Sequence, residues 1–291
     1  MQNTTRALLF SLVTLASFIT LPAAAEQSSI TEADGQSCLG DDKSRKQTKD
    51  VALQDAKRLA LEYAGSYLES ETVVENFQLK SDLIKAFKSA EVKVIEILEE
   101  TWIEGDCFTI RIKAEVIPSK AVMDTVDTTL LLGDPRAPLN VKLSTDKDNY
   151  ETGDNMRIYL QGNKPFYARL IYVDADGNNI QILPNQHRSD NYFAGVTIFE
   201  VPERKDQFVM KVGSPYGKES LTLYASTAPL GTLSVTAANA DVYLVQDAAP
   251  EIARRTRGIS LTKSTKEDEE KAKAVAEFAE ATVEITTSAG S

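Results

Sequence analysis

The chain has 291 residues, 42% hydrophobic and 26% charged, enough for one large domain or two modest ones with real cores. Its 14 glycines and 10 prolines are ordinary counts and exclude a collagen-like or wholly disordered chain. Asp and Glu outnumber Lys and Arg by 43 to 32, a net charge of −11, and the linear sequence shows no segregated basic patch, so nucleic acid is not an expected partner.

Residues 1–25 read as a signal peptide. Arg6 supplies a basic start, Ala7 to Leu21 is an apolar run, and Pro22-Ala23-Ala24-Ala25 places small residues before Glu26. The run is broken by Ser and Thr and is short for a membrane span of about 20 residues. No cysteine stands at the cleavage point to take a lipid. The expectation is a chain secreted across the inner membrane, periplasmic or outer-membrane associated, with no transmembrane segment after cleavage. Such a compartment lets Cys38 and Cys107 pair. Two free buried thiols or bridges between molecules are the competing readings. A single histidine and the lack of a Cys-x-x-Cys spacing argue against a metal site, and no cofactor is expected.

Residues 26–118 read as a small α+β domain. From about Ser44 to Leu68, Ala52, Ala56, Leu59, Ala60, Tyr63, Ala64 and Tyr67 recur at helical spacing and make one alanine-rich stripe. A strand is expected at Glu71 to Phe77 and a short helix at Ser81 to Ser89. Two longer strands follow, one from Val92 towards Trp102 and one in which Phe108, Ile110, Ile112, Ala114 and Val116 alternate with polar residues. This order predicts helices on one face of an antiparallel sheet. Cys38 precedes the first helix and Cys107 starts the last strand. A bridge there would tie the helix entrance to the sheet edge.

Residues 119–139 read as a linker, broken by Gly133-Asp134-Pro135 and Ala137-Pro138, with a short helix around Lys120 to Thr128. Residues 140–287 then read as an all-β, immunoglobulin-like sandwich with a C-terminal helical excursion and a final strand. Short strands are expected at Val141–Leu143, Met156–Leu160, Tyr167–Val173, Ile180–Leu183, Gly195–Val201, Gln207–Val212 and Ser220–Ala225. Asp176-Gly177 forms the hairpin turn. Val242–Val245 adds a strand and Pro250 to Arg257 a helix. Lys263 to Glu270 reads as mobile or as part of a helix continuing through Ala279, and Ala281 to Thr287 as the last strand.

No group of residues amounts to an active site, and the chain is expected not to be an enzyme. His187, Ser189 and Asp190 contain the letters of a triad, but three such residues within four positions cannot easily take its geometry. Asp174, Asp176, Asn178 and Asn179 fit a hairpin better than a calcium loop, since no Glu stands where a bidentate ligand is needed. Weak calcium binding by Asp146, Asp148, Glu151 and Asp154 stays open. For binding, the candidate surface is aromatic and basic: Tyr159, Tyr167, Tyr172, Tyr192 and Phe193, with Tyr224 as a further tyrosine, and Arg254, Arg255 and Arg257.

Two segments resemble known families. Lys49 to Val116, through Ala52-Leu53-Gln54-Asp55-Ala56-Lys57-Arg58, Ser70-Glu71-Thr72-Val73-Val74-Glu75-Asn76-Phe77 and Val92-Lys93-Val94, resembles the N-terminal domain of the flagellar H-ring protein FlgT and related modules of outer-membrane lipoproteins. That resemblance implies a small module in an envelope assembly and brings no catalytic residues. About Val141 to Thr227, through Ser144-Thr145-Asp146-Lys147, Gly153-Asp154, Tyr172-Val173-Asp174-Ala175-Asp176-Gly177 and Leu183-Pro184-Asn185, is similar to the bacterial domain-of-unknown-function 4384 (DUF4384) family. It implies an exported adaptor or ligand-presenting domain. The functional expectation is a structural or interaction protein of the cell envelope, with envelope proteins or further copies of itself as partners and peripheral contact with the outer membrane. The alternative is a module for a glycan, cell-wall polymer or small molecule.

Overall fold

The computed structural model describes residues 25–41, 43–71, 77–103, 105–239, 242–258 and 275–290. The signal-peptide expectation lies outside these residues except for Ala25, as do Lys263 to Glu270 and most of the strand expected at Glu71 to Phe77. Among the described residues, no helix is long and apolar enough to cross a membrane.

The chain opens with a strand, β1 (Glu26–Cys38), where the sequence reading had only a short unassigned segment. Helix α1 (Arg45–Glu71) starts at a reciprocal cap: the Gln47 N–H donates to Ser44 Oγ (3.3 Å) and the Ser44 N–H donates to Gln47 Oε1 (2.8 Å). Its buried stripe is Thr48, Ala52, Ala56, Ala60, Ala64 and Leu68, one residue per turn along one side. The small side chains bring the helix backbone down onto β1. There, a Cβ on Gly35 would collide with the Ala52 carbonyl oxygen and the Ala56 backbone nitrogen. After α2 (Phe77–Lys88), strands β2 (Glu91–Ile103) and β3 (Cys107–Ile117) form an antiparallel pair. Ile110, Ile112, Ala114 and Val116 pack with the α1 stripe, Leu83 and Phe87 in one core. The expected layer of helices on an antiparallel sheet is present.

The linker region holds two short helices, α3 (Lys120–Met123) and α4 (Thr128–Leu132). Then come β4 (Val141–Thr145), β5 (Asn149–Glu151), β6 (Asn155–Met156), β7 (Ile158–Gly162), β8 (Phe166–Val173), β9 (Asn179–Leu183), β10 (Tyr192–Phe193) and β11 (Ile198–Val201). They are followed by β12 (Met210–Lys211), β13 (Lys218–Ser226), β14 (Val235–Asn239), β15 (Val242–Val245), α5 (Ala249–Thr256) and β16 (Val275–Ser288). The β8–β9 hairpin turns at Gly177, with φ +84°, and the Asp174 carboxylate accepts the N–H groups of Asp176 (3.0 Å) and Asn178 (2.8 Å).

Most of these strands belong to one open sheet of 11 strands, in the order β14-β15-β9-β8-β13-β16-β1-β3-β2, with β10 on β8 and β5 on β16. The class is therefore α+β with a large open sheet that runs through both halves of the chain, rather than a helix-covered sheet followed by a separate one. A three-stranded sheet, β11-β7-β4, stacks on it: Val141, Leu143, Ile158 and Leu160 share a core with Leu170, Leu221, Leu223, Ala279 and Ile285.

The seam between the halves is the pairing of the first strand with the last. β1 lies antiparallel to β16, from Glu26 opposite Glu280 to Thr31 opposite Val275, and its far edge pairs with β3. The helix expected to run through Ala279 is not there, and the last strand starts at Val275 rather than near Ala281. Alanine and glutamate favour a helix intrinsically, but Ala276 and Phe278 on one face and Ala279 and Ala281 on the other enter two different cores. That alternation needs a strand, and tertiary burial overrides propensity.

Buried charges cross the seam on both faces. On the face bearing α1 and the small sheet, the Glu277 carboxylate accepts the Leu139 N–H (2.7 Å) and pairs with Lys164 Nζ (2.9 Å). Tyr67 of α1 also bonds it, and its phenol is pushed up by burial and then by the Glu277 charge. On the other face, Arg257 lies between Glu115 (2.7 Å) and Glu280 (2.8 Å), over the Phe278 ring, while Ser28 Oγ donates to Glu115 (2.7 Å). Strands β1, β3 and β16 and the end of α5 meet at this one guanidinium.

Cys38 and Cys107 stand opposite each other across β1 and β3 and are bonded as a disulfide. The two are 69 residues apart in sequence, so a chain-entropy argument assigns the bridge about 4 kcal/mol. The double variant Cys38→Ser, Cys107→Ser is expected to lose about 2–4 kcal/mol of unfolding free energy. Urea titration of oxidised protein beside the variant checks this, and coincident midpoints would refute it.

Candidate functional site

The expected aromatic and basic surface is not brought together as one patch. Phe193 is buried against Phe166, and Tyr159 is on β7 of the small sheet. Tyr167 and Tyr192 touch across β8 and β10, ring centroids 5.2 Å apart, with Tyr192 about half exposed. Tyr224 is buried beside Phe278. Arg254 and Arg255 both bind Glu251, and the bonds from Arg254, then Arg255, hold its carboxyl down at about 2. Arg257 is taken up by the seam. Of this set, Tyr172 lines a cavity.

That cavity is a groove of about 410 Å³ between the β8–β9 hairpin and the segment around β12. Ile180 and Ile182 form one side, Phe208, Met210 and Val212 the other, and Met156 also lines it. The local sequence explains its shape. Gln207 to Val212 was expected as a strand, but only Met210–Lys211 pairs, with Met156 and Asn155 of β6. The rest of the segment stands off the main sheet and leaves Val209 74% exposed.

Polar groups lie on both sides, Tyr172, Asp174, Gln181 and Asn185 with the hairpin and Lys211 and Ser214 with the β12 segment. The Tyr172 hydroxyl donates to Glu219 in a short hydrogen bond. Glu219 is 4% exposed, accepts a second bond from Thr287 Oγ1 (2.9 Å), and among the described residues is not ion-paired with a lysine or arginine. The Tyr172 phenol is pushed up, first by burial and then by Glu219, so it stays protonated at any ordinary pH. Asp174 also lines the groove and is tied by its turn. Lys211 is the one cation of the lining. Apolar walls with a few fixed polar groups are the makeup of a ligand site. Sequence reading missed Phe208, Met210, Val212 and Glu219. The one available signal was the succession Phe208-Val209-Met210 in a stretch too short and too turn-rich to bury all three.

The other constellations weighed in the sequence have structural partners. His187 lies in a loop with its ring near Phe208, and its N–H donates to Asn185 Oδ1 (2.8 Å). Asp146 accepts the Tyr150 hydroxyl (2.6 Å) and the Arg157 N–H (2.8 Å), and Asp154 binds Lys147 Nζ (2.9 Å). Among the described residues, no cluster of three or more His, Cys, Asp or Glu is placed to hold a metal ion.

Compared with known proteins, residues 149–229 match the family model described as Domain of unknown function (DUF4384). The match contains the whole groove and Glu219, and it does not reach residues 49–116. No curated protein and no solved structure matches the chain.

Proposed function

We propose that this protein is a non-enzymatic interaction protein of the cell envelope, exported by its leader, and that the groove of its DUF4384 segment is where it holds a partner. The observation that carries the reading is the groove itself: about 410 Å³, apolar-walled, and built wholly from the family-matched residues. In this reading residues 26–118 form an envelope-assembly module of the kind the FlgT likeness suggests, joined by 119–139 to residues 140–287. The stacking of β4, β7 and β11 on the main sheet supports an immunoglobulin-like sandwich for the latter. A glycan or small-molecule module is the second reading, favoured by Tyr172 in the groove wall.

The test is site-specific crosslinking in intact envelopes. A photoreactive residue replacing Val209, at the groove, is expected to give a discrete adduct with another polypeptide, while one replacing Ile97 on β2 gives none of the same mass. Loss of the adduct on filling the groove with Met210→Trp would complete the case. No adduct from Val209 under any growth condition would sink it.

A further inference from the structure

Resting on the reading of the groove as a binding site, we infer that its occupant is an extended segment of a partner protein in which a lysine or arginine sits among apolar residues. Two carboxylates, Glu219 and Asp174, stand in or behind one wall, at 4% and 9% exposure, and the bonds they accept come only from hydroxyl, backbone N–H and amide groups. Among the described residues neither is ion-paired with a lysine or arginine, and Lys211 is the one cation of the groove lining. Buried carboxylates are normally met by a cation, so the wall keeps acceptor groups that an incoming cation would match.

Tyr172 presents such an acceptor to the groove. Its hydroxyl hydrogen is donated to Glu219, so the phenol oxygen is left as an acceptor, and the bond it donates makes it a stronger one. An ammonium or guanidinium arriving there meets this oxygen and the Tyr172 ring, with Phe208 among the opposite residues. Ile180, Ile182, Met210 and Val212 leave the flanking positions to apolar side chains. The occupant is a chain segment because the trough is shared by four separate stretches of the protein, far more lining than a single amine covers. The net charge of −11 draws basic segments towards the molecule.

The test uses the processed full chain with methyl-labelled methionine and three blocked pentapeptides: acetyl-Val-Leu-Lys-Leu-Val-amide and its Glu and Ala counterparts. The Lys peptide is expected to bind saturably, shift the Met156 and Met210 methyl signals, and bind about tenfold more weakly to Glu219→Gln. Tyr172→Phe, which keeps the ring and removes the oxygen, should weaken it likewise, while the Ala peptide is indifferent to both substitutions. The inference is overturned if the Glu peptide binds as well as the Lys peptide, or if the two methyls stay silent. It also falls if neither substitution changes affinity for the Lys peptide. Binding of n-butylamine as tight as that of the Lys peptide would assign the site to free amines and overturn the protein source. A crosslinked partner at Val209 that lacks any basic-apolar segment would sink this inference and leave the binding role standing, whereas the absence of any adduct removes the role itself.

Discussion

A chain ending before Val275 is expected to show no cooperative unfolding transition. The deleted strand lies in the middle of the sheet, where β16 pairs with β13 on one edge from Lys218 opposite Thr286 to Ser226 opposite Phe278. Its other edge pairs with β1, and its last residues run parallel to β5. Ala276, Phe278, Ala279, Ala281 and Ile285 are all buried, and they serve two cores. At about 1.5–3 kcal/mol for each large apolar side chain, Phe278 and Ile285 alone represent several kcal/mol. Their loss comes together with the hydrogen bonds of both edges, against a total stability of about 5–15 kcal/mol for a typical domain. Circular dichroism on heating, with limited proteolysis, is the measurement. A truncated chain that melts sharply and resists protease would mean that the halves are independent of their seam.

Replacing Arg257 by alanine is expected to cost about 3–5 kcal/mol, the usual result of leaving a buried ion without its partner. The guanidinium is shared by Glu115, which is buried, and Glu280, which is largely so. Without it, two carboxylates are left close together beside Phe278. Even with Arg257 in place, burial raises Glu280 above its ordinary value more strongly than the guanidinium lowers it. A carboxyl whose folded value is raised binds more protons in the folded state than in the unfolded chain. Its linkage therefore favours folding at low pH, and stability falls as the pH rises from the unfolded value through the folded one. In Arg257→Ala the Glu280 carboxyl moves further up, so the deficit should be largest at pH 7 and shrink towards pH 5. Arg257→Met, with Glu115→Gln and Glu280→Gln beside it, should regain much of the loss, because an uncharged cluster needs no partner. Denaturant midpoints at the two pH values decide the matter. A deficit that is the same at both would show that packing over Phe278, not charge, is what Arg257 supplies.

Legibility in the sequence followed burial pattern closely. α1 was readable because its stripe of alanines, Ala52 to Ala64, keeps helical spacing for about three turns, and β3 because its apolar and polar residues alternate without a break. β1 was not readable. Gln27, Ser28, Ser29 and Thr31 look like loop residues, yet each is buried, with Gln27 bonded to the Leu139 carbonyl (3.1 Å) and Ser28 to Glu115. Such a strand is specified by partners that lie far away in the chain, which no local window contains. β16 misled for the opposite reason, since its alanines and glutamates carry a local preference that the two cores overrule. The groove failed to show because its acidic wall joins Tyr172 to Glu219, 47 positions apart. The disulfide was readable only as far as compartment arithmetic goes. Its cross-strand placement depended on recognising β1.

The position of β1 also bears on how the molecule comes into being. Ribosomes make the chain from its amino end, yet the slot this strand fills is bounded on one side by residues 275–280, far later in the sequence. The strand's β3 edge can be covered once residues 107–117 exist, but its β16 edge must wait unsatisfied while some 240 further positions appear (on the order of 10–50 s at ordinary elongation rates). Val and Ile would make a stronger β former and a dangerous waiter, prone to pairing with whatever edge came by. Its serines, glutamines and acidic residues keep it hydrated and unattractive until the closing segment arrives. The hydrophilic wording that hid this strand is thus suited to the longest delay any part of the sheet has to endure.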